Sequence, residues 1–350
     1  MNYNDALKKD LLNKIQNSPE VVDNYKALAN LFLVEKQYVE AIRIYEKLLF
    51  LEPNNFEAYL NIGSIYYFLE QYEKALFYYQ KAEAINDKSF ILYMNLGNTY
   101  AELGKTQLAL TSYKIASLLD KTSESPLMAI AVLHLENNDF ELAKICYEDV
   151  IELNPSTNNY ISLAKVEIKL KNFSSAIQIL ENILQYDSTN FIVLQYLAFV
   201  YGLTGNYVKS EQIFSNLYSQ NPSDVTTYIL QGELFFELNN LEDAKNLYEK
   251  ALLFAPDAFE IYVHLGNLYI AKGDYKNAIQ SLNKASELCK KNPCILAQLG
   301  MAYLQARHIS AAVKAYRKAI EIDKNNVEYK LLYIKIIEDY LDNKFKDNEG

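Results

Sequence analysis

The chain has no tryptophan, three cysteines, three histidines, seven prolines and ten glycines among its 350 residues. The scarcity of proline and glycine excludes a loop-rich chain and suits helices around a substantial interior, the more so because half the residues are hydrophobic. Cys146, Cys289 and Cys294 form no regular framework, and an odd number points to free thiols in a reducing compartment. The cytoplasm is the expected location. No apolar run approaches the ~20 residues needed to cross a bilayer. The opening MNYNDALKKDLLNKIQ carries charge from Asp5 onward in place of a secretory apolar segment. Positive charge is short as well. With a net charge of −10, broad binding to nucleic acid or to an anionic membrane is not expected, because both need clustered Lys and Arg.

Catalytic motifs are also missing. There is no glycine loop to cradle phosphate, no nucleophile elbow and no HExxH sequence. His134, His264 and His308 lie far apart, and Cys289, Cys294 and His308 do not follow a zinc-ligand spacing. No catalytic residue, metal or cofactor is expected, and the chain reads as non-enzymatic.

What is present is repetition. The stretch Phe56 to Ser89 matches itself along the chain in steps of thirty-four residues. Tyr59, Ile62, Gly63 and Tyr66 mark one helical stripe, and Ala75, Tyr79 and Ala82 mark a second, with a break at Glu70 to Tyr72. Repeats start at Val22, Phe56, Phe90, Glu124, Thr157, Phe191, Val225, Phe259 and Pro293, and only the fourth is one residue short. Residues 1–21 are expected to hold a capping helix with Leu7, Leu11, Leu12 and Ile15 on one face. Residues 327–343 form a second capping helix, and 344–350 a polar tail that frays. One continuous domain with a shared core is expected.

The columns of the repeat explain its geometry. Its eighth residue is always Gly or Ala, from Ala29 and Gly63 to Gly300, and its twentieth is Ala or Ser. Glycine inside a helix costs about 1 kcal/mol relative to alanine, so close approach of two helix backbones is the expected reason. Large residues fill the gaps beside them, which assigns most of the thirty tyrosines to packing. Pro53, Pro155, Pro222 and Pro256 fall where second helices end. Gly104, Gly205, Gly273, Asn138 and Asn239 fall where a left-handed cap is needed. The fourth and fifth repeats fit least well, with His134 and Glu167 in an aromatic column and Leu180 in a later one. Lower exchange protection between about Ala129 and Gln185 is expected.

These features together make the chain resemble the tetratricopeptide repeat (TPR) family over nearly its whole length. The resemblance implies an all-α, right-handed α-solenoid superhelix of antiparallel helix pairs, whose first helices line a concave groove that binds protein or peptide. The second, fifth, sixth, ninth, twelfth and thirteenth residues of each repeat then face inward. Early in the chain these include Lys26, Asn30 and Asn61, then Tyr67, Phe68 and Met94, then Asn95 and Asn98. Amides so placed can bond an extended peptide backbone. Lys26, Asn30 and Asn61 also resemble part of the carboxylate clamp of TPR co-chaperones, although Ile91 and Asn95 stand where that clamp has basic residues. Later the lining is more apolar: Tyr196, Phe199, Ile229, Leu230, Phe236, Val263 and Ile270, among His264, Asn267, Glu233, Glu237 and Glu260. That suits an amphipathic helix, or a peptide with Lys or Arg beside its apolar anchors. The expected function is a protein-interaction scaffold or adaptor; the alternative is a non-catalytic targeting or regulatory subunit of a protein-modifying enzyme.

Overall fold

The computed structural model describes residues 3–323 and 326–346, which contain helices and no strands. They divide into two compact units, Met1–Asn154 and Pro155–Gly350. The boundary falls where the fourth repeat runs one residue short. The N-terminal unit holds α1 (Tyr3–Asn17) and the pairs α2 (Val22–Val34) and α3 (Tyr38–Leu51), α4 (Phe56–Phe68) and α5 (Tyr72–Glu83), α6 (Phe90–Glu102) and α7 (Thr106–Leu119), α8 (Ser125–Glu136) and α9 (Phe140–Leu153). The C-terminal unit begins with the pairs α10 (Thr157–Lys169) and α11 (Phe173–Tyr186), α12 (Phe191–Leu203) and α13 (Tyr207–Gln220). It continues with α14 (Val225–Glu237) and α15 (Leu241–Phe254), α16 (Phe259–Ala271) and α17 (Tyr275–Leu288), α18 (Pro293–Gln305) and α19 (Ile309–Ile322), and ends in α20 (Val327–Lys346).

Among the described residues, short polar residues start six of the nine first helices, while Val21 and Ala258 precede α2 and α16 without a side-chain cap. The Asn55 side chain accepts from the Ala58 amide at 2.9 Å, and Ser89, Ser156, Asn190, Asp224 and Asn292 cap their helices in the same way. α8 starts at Ser125 with Pro126 behind it, one residue after the expected Glu124, which makes no side-chain cap. Within each pair the turn is made by one left-handed residue. Gly104, Asn138, Gly205, Asn239 and Gly273 do this with positive φ, and so do Lys36, Glu70, Lys171 and Arg307. A left-handed conformation costs a side-chain-bearing residue roughly 1–2 kcal/mol. Bonds such as Lys36 N–H to Leu33 O (2.9 Å) and Gln37 N–H to Phe32 O (2.8 Å) close the helix end and hold it there.

The packing explains the small columns, but not by backbone approach. A Cβ on Gly63 would lie 2.6 Å from the Tyr79 ring, on Gly97 2.4 Å from Tyr113, and on Gly232 2.5 Å from Tyr248. Gly63, Gly97, Gly232 and Gly300 therefore make room for a tyrosine from the second helix of their own repeat, and Gly266 does so for Leu282. Those rings and the alanines of the twentieth column are almost wholly buried. The fourth-column tyrosines have a further role: Tyr25, Tyr228 and Tyr262 donate to the carbonyls of Pro19, Pro222 and Pro256, tying each helix to the loop before it.

In α1, Leu11 is buried and Leu7 and Ile15 pack beside it, whereas Leu12 is 44% exposed, so the capping stripe is narrower than expected. α20 buries Tyr329 and Ile336 and runs to Lys346, past the expected end at 343; residues 347–350 of the expected tail lie outside the described residues. Glu167 is only 2% exposed. Its carboxylate accepts from Asn172 Nδ2 (2.8 Å) and Ser175 Oγ (2.9 Å) at the start of α11, which replaces an aromatic contact by polar ones. His134 sits at a core edge, with Nδ1 buried and 3.6 Å from Asp139 Oδ2.

Candidate functional site

First helices of successive repeats touch one another, as α4 with α6, α10 with α12, α12 with α14, and α14 with α16, so one face of each unit is lined by first helices. Polar residues of that face recur as a three-residue node. It comprises the ninth residue of one repeat, the twenty-fourth of the same repeat, and the sixth of the next.

In the N-terminal unit the node is a hydrogen-bonded group built on a phenol. Tyr45 donates to Asn30 Oδ1 (2.7 Å), and Asn61 Nδ2 donates to the Tyr45 hydroxyl (3.0 Å). One hydroxyl proton given to Asn30 leaves the Tyr45 oxygen free to accept, which sets the orientation of both amides. Tyr79 donates to Ser64 (3.2 Å), which accepts from Asn95 (3.4 Å), and Tyr113 donates to Asn98 (2.7 Å). Burial pushes the Tyr45 and Tyr79 phenols up to about 12, so they remain protonated donors. Tyrosines that the repeat columns assign to packing thus also fix the amides of this face. The other residues expected on this face are also engaged. Lys26 pairs with Glu57 at 3.2 Å, so the cation of the clamp-like set is neutralised. Tyr67 lies 5.4 Å from the Tyr72 ring, Met94 packs into the core, and Phe68, 64% exposed, lies 5.0 Å from the Tyr38 ring.

The C-terminal unit builds the same node from other groups. Tyr248 stacks on His264 at 5.2 Å, and His264 Nε2 lies 3.5 Å from Glu233 Oε1. Burial and the charge of Lys169 push His264 down to about 4, so at neutral pH it is uncharged. Burial raises the Glu233 carboxyl, Lys169 opposes the rise and Glu237 adds to it. In the next node Leu282 stands where the phenol would be. Asn267 makes no hydrogen bond among the described residues, and Gln298 Oε1 is buried without a partner.

Two hollows open on this face. The larger, of about 620 Å³, has a floor of Tyr196, Phe199, Ile229 and Leu230, with Lys165, Lys169 and Lys171 at one side and Glu233 and Glu237 at the other. The smaller, of about 190 Å³, brings Phe199, Phe236, His264 and Asn267 together with both glutamates, Lys169 and Tyr248. Phe199 is a floor residue more than an anchor, being 8% exposed. Val263, Ile270 and Glu260 do not line either hollow. The lysine wall escapes the sequence reading, although Lys165 and Lys169 occupy the ninth and thirteenth places of the fifth repeat, both inward positions. Tyr248 escapes it because its column looks purely structural. Among the described residues no group of three or more His, Cys, Asp or Glu could hold a metal, and no helix is long and apolar enough to cross a membrane.

Comparison with known proteins gives the following similarities. Profiles described as tetratricopeptide repeat match residues 56–89, 91–122, 125–157, 225–257 and 293–326, and one described as TPR repeat matches 266–306, together more than half of the chain. A BBSome complex member BBS4 homolog of Drosophila melanogaster is 24% identical over 191 residues, which span 54% of this chain and 39% of that protein. The chain thus spans about two fifths of that relative's length. Among solved structures, a tetratricopeptide repeat protein from Parabacteroides merdae superposes with a TM-score of 0.55 at 18% identity, covering 71% of this chain and 98% of that one. Yeast Tom70 superposes with a TM-score of 0.51 at 17% identity, covering 97% and 89%. At such identities these structures speak for the all-α solenoid fold alone.

Proposed function

This chain belongs to the tetratricopeptide repeat family, and from that premise we propose that it is a protein-interaction adaptor which binds a segment of a partner protein along the face lined by its first helices. The observation that carries this reading is the pair of adjoining hollows in the C-terminal unit, where an apolar floor lies between charged walls. Apolar burial supplies affinity and the walls supply orientation. The larger hollow falls within the ~300–1,000 Å³ usual for ligand sites. The N-terminal face is a second contact surface, where Asn30 and Asn98 keep an N–H₂ group to donate and Asn61 and Asn95 keep a carbonyl to accept. The BBS4 homolog, named as a member of the BBSome complex, is a precedent for such a role in an assembly.

Photo-crosslinking tests the reading. A benzophenone amino acid replaces Tyr67 or Tyr196 on first helices, or Val208, 70% exposed on the second helix α13. The expected result is a defined protein adduct from the first-helix positions, stronger at Tyr196 than at Tyr67, and none from Val208. Adducts from Val208 alone would overturn the proposal.

A further inference from the structure

The hollows lie between walls of opposite charge, and this arrangement limits what can occupy them. One wall is Lys165 and Lys169 on α10 with Lys171 in the turn after it; the other is Glu233 and Glu237, one turn apart on α14. Between them the floor comes from α12. Lys169, Phe199, Glu233 and Glu237 line both hollows, which makes the two continuous.

The acidic wall lacks a direct counter-charge. Among the described residues no Lys or Arg lies within 4 Å of either glutamate, and the one basic group beside Glu233 is the neutral His264. Lys169 acts on Glu233 and His264 only from a greater distance. On the basic wall, the Lys165 ammonium itself lies over the Tyr196 ring at 4.7 Å, a cation–π contact at the exposed edge of the floor. The smaller hollow, at about 190 Å³, is below the size of an ordinary ligand site and suits one side chain. Its walls combine two carboxylates with the rings of Phe236 and Tyr248; Lys169 also lines it, but the carboxylates outnumber that one cation and the surroundings suit an ammonium or a guanidinium.

We propose that this groove receives a partner segment of fixed polarity: a Lys or Arg enters the hollow at Glu233 and Glu237, a bulky apolar residue beside it rests on Tyr196 and Phe199, and an Asp or Glu meets Lys165 and Lys171. The inference rests on the reading that first-helix faces bind protein segments, and it names the chemistry of the partner. A segment with its charges reversed would set like charges together at both walls and be rejected.

A random library of displayed 12-residue peptides, selected on the full chain, tests the inference directly. The expected consensus has a basic residue next to a bulky apolar one, with an acidic residue on the far side. A selected peptide, synthesised with a fluorophore, should bind the Glu237→Gln variant at least ~10-fold more weakly, as should its own Lys→Gln or Arg→Gln version. Glu237 is exposed, so this variant should fold, and an unchanged thermal transition checks that it does. Reversing the order of charges in the peptide should abolish binding. Peptides that compete for Tyr196 but carry no basic residue, or that bind Glu237→Gln equally well, would overturn the inference while leaving the broader reading intact. A library that yields no peptide sensitive to Tyr196→Ala or Tyr67→Ala would overturn both.

Discussion

The two units use one repeat geometry to make different surfaces. In the N-terminal unit, the node of Asn30, Tyr45 and Asn61 satisfies a buried phenol with two amides, and Lys26 is already paired with Glu57. In the C-terminal unit, the equivalent node of Glu233, Tyr248 and His264 leaves a carboxylate facing a neutral imidazole, with lysines at a distance. Where polar groups satisfy one another, they add stability and present little unspent charge. Where they do not, they remain available to a partner. The difference lies in a few side chains on a common backbone.

Removing the phenol oxygen from each node should break the comparison most clearly. Tyr45→Phe leaves Asn30 and Asn61 without their shared partner, and should lower unfolding free energy by about 1–3 kcal/mol in urea titrations. Tyr248→Phe removes no hydrogen bond in the structure and should cost well under ~1 kcal/mol. Equal losses would show that the nodes do not differ.

That contrast is only partly legible in the sequence. Spacing alone places the helix pairs and the small columns, because apolar periodicity and glycine scarcity act along the chain. The cause of the glycines is not legible there, because the side chain that each accommodates, such as Tyr113 over Gly97, lies sixteen residues away in a separate column. Lys36, Glu70, Lys171 and Arg307 cannot be recognised as left-handed, since nothing in those residue types favours it and the helix-end bonds impose it. The groove positions bring Tyr196, Phe199, Glu233 and His264 together, but the charge asymmetry emerges only when α10 and α14 face each other across α12. Glu167 looks like a defect in an aromatic column, whereas its bonds to Asn172 and Ser175 make it a buried polar brace.

A smaller effect should sharpen the comparison within the C-terminal unit. Leu282→Tyr would supply the missing phenol to Asn267 and Gln298, at a position where the side chain packs directly on Gly266 as Tyr79 does on Gly63. A gain of about 0.5–1.5 kcal/mol is expected from the same titration. A loss would mean that this node is closed to a phenol.

Acid should distinguish the nodes last and least. His264 has a folded pKa of about 4, below its value near 6.5 in the unfolded chain, so the unfolded state takes up the proton first. Its stabilising contribution is complete above about pH 6.5 and falls away as the pH drops toward 4. Glu233, raised in the folded state, gains its proton there first and partly offsets the loss. The decline in melting temperature from pH 7 to pH 4.5 should therefore be smaller in His264→Gln and larger in Glu233→Gln. Parallel curves for these variants and the natural chain would remove His264 from the account.

The central claim is that binding is concentrated on the first-helix face of the C-terminal unit. Tyr67 and Tyr196 are half-buried tyrosines on first helices of different units, so one ligand can be titrated against Tyr67→Ala and Tyr196→Ala side by side by fluorescence anisotropy. The account predicts a dissociation constant at least ~10-fold weaker for Tyr196→Ala and within ~3-fold of the natural chain for Tyr67→Ala. The reverse order, or no change in either, would contradict it.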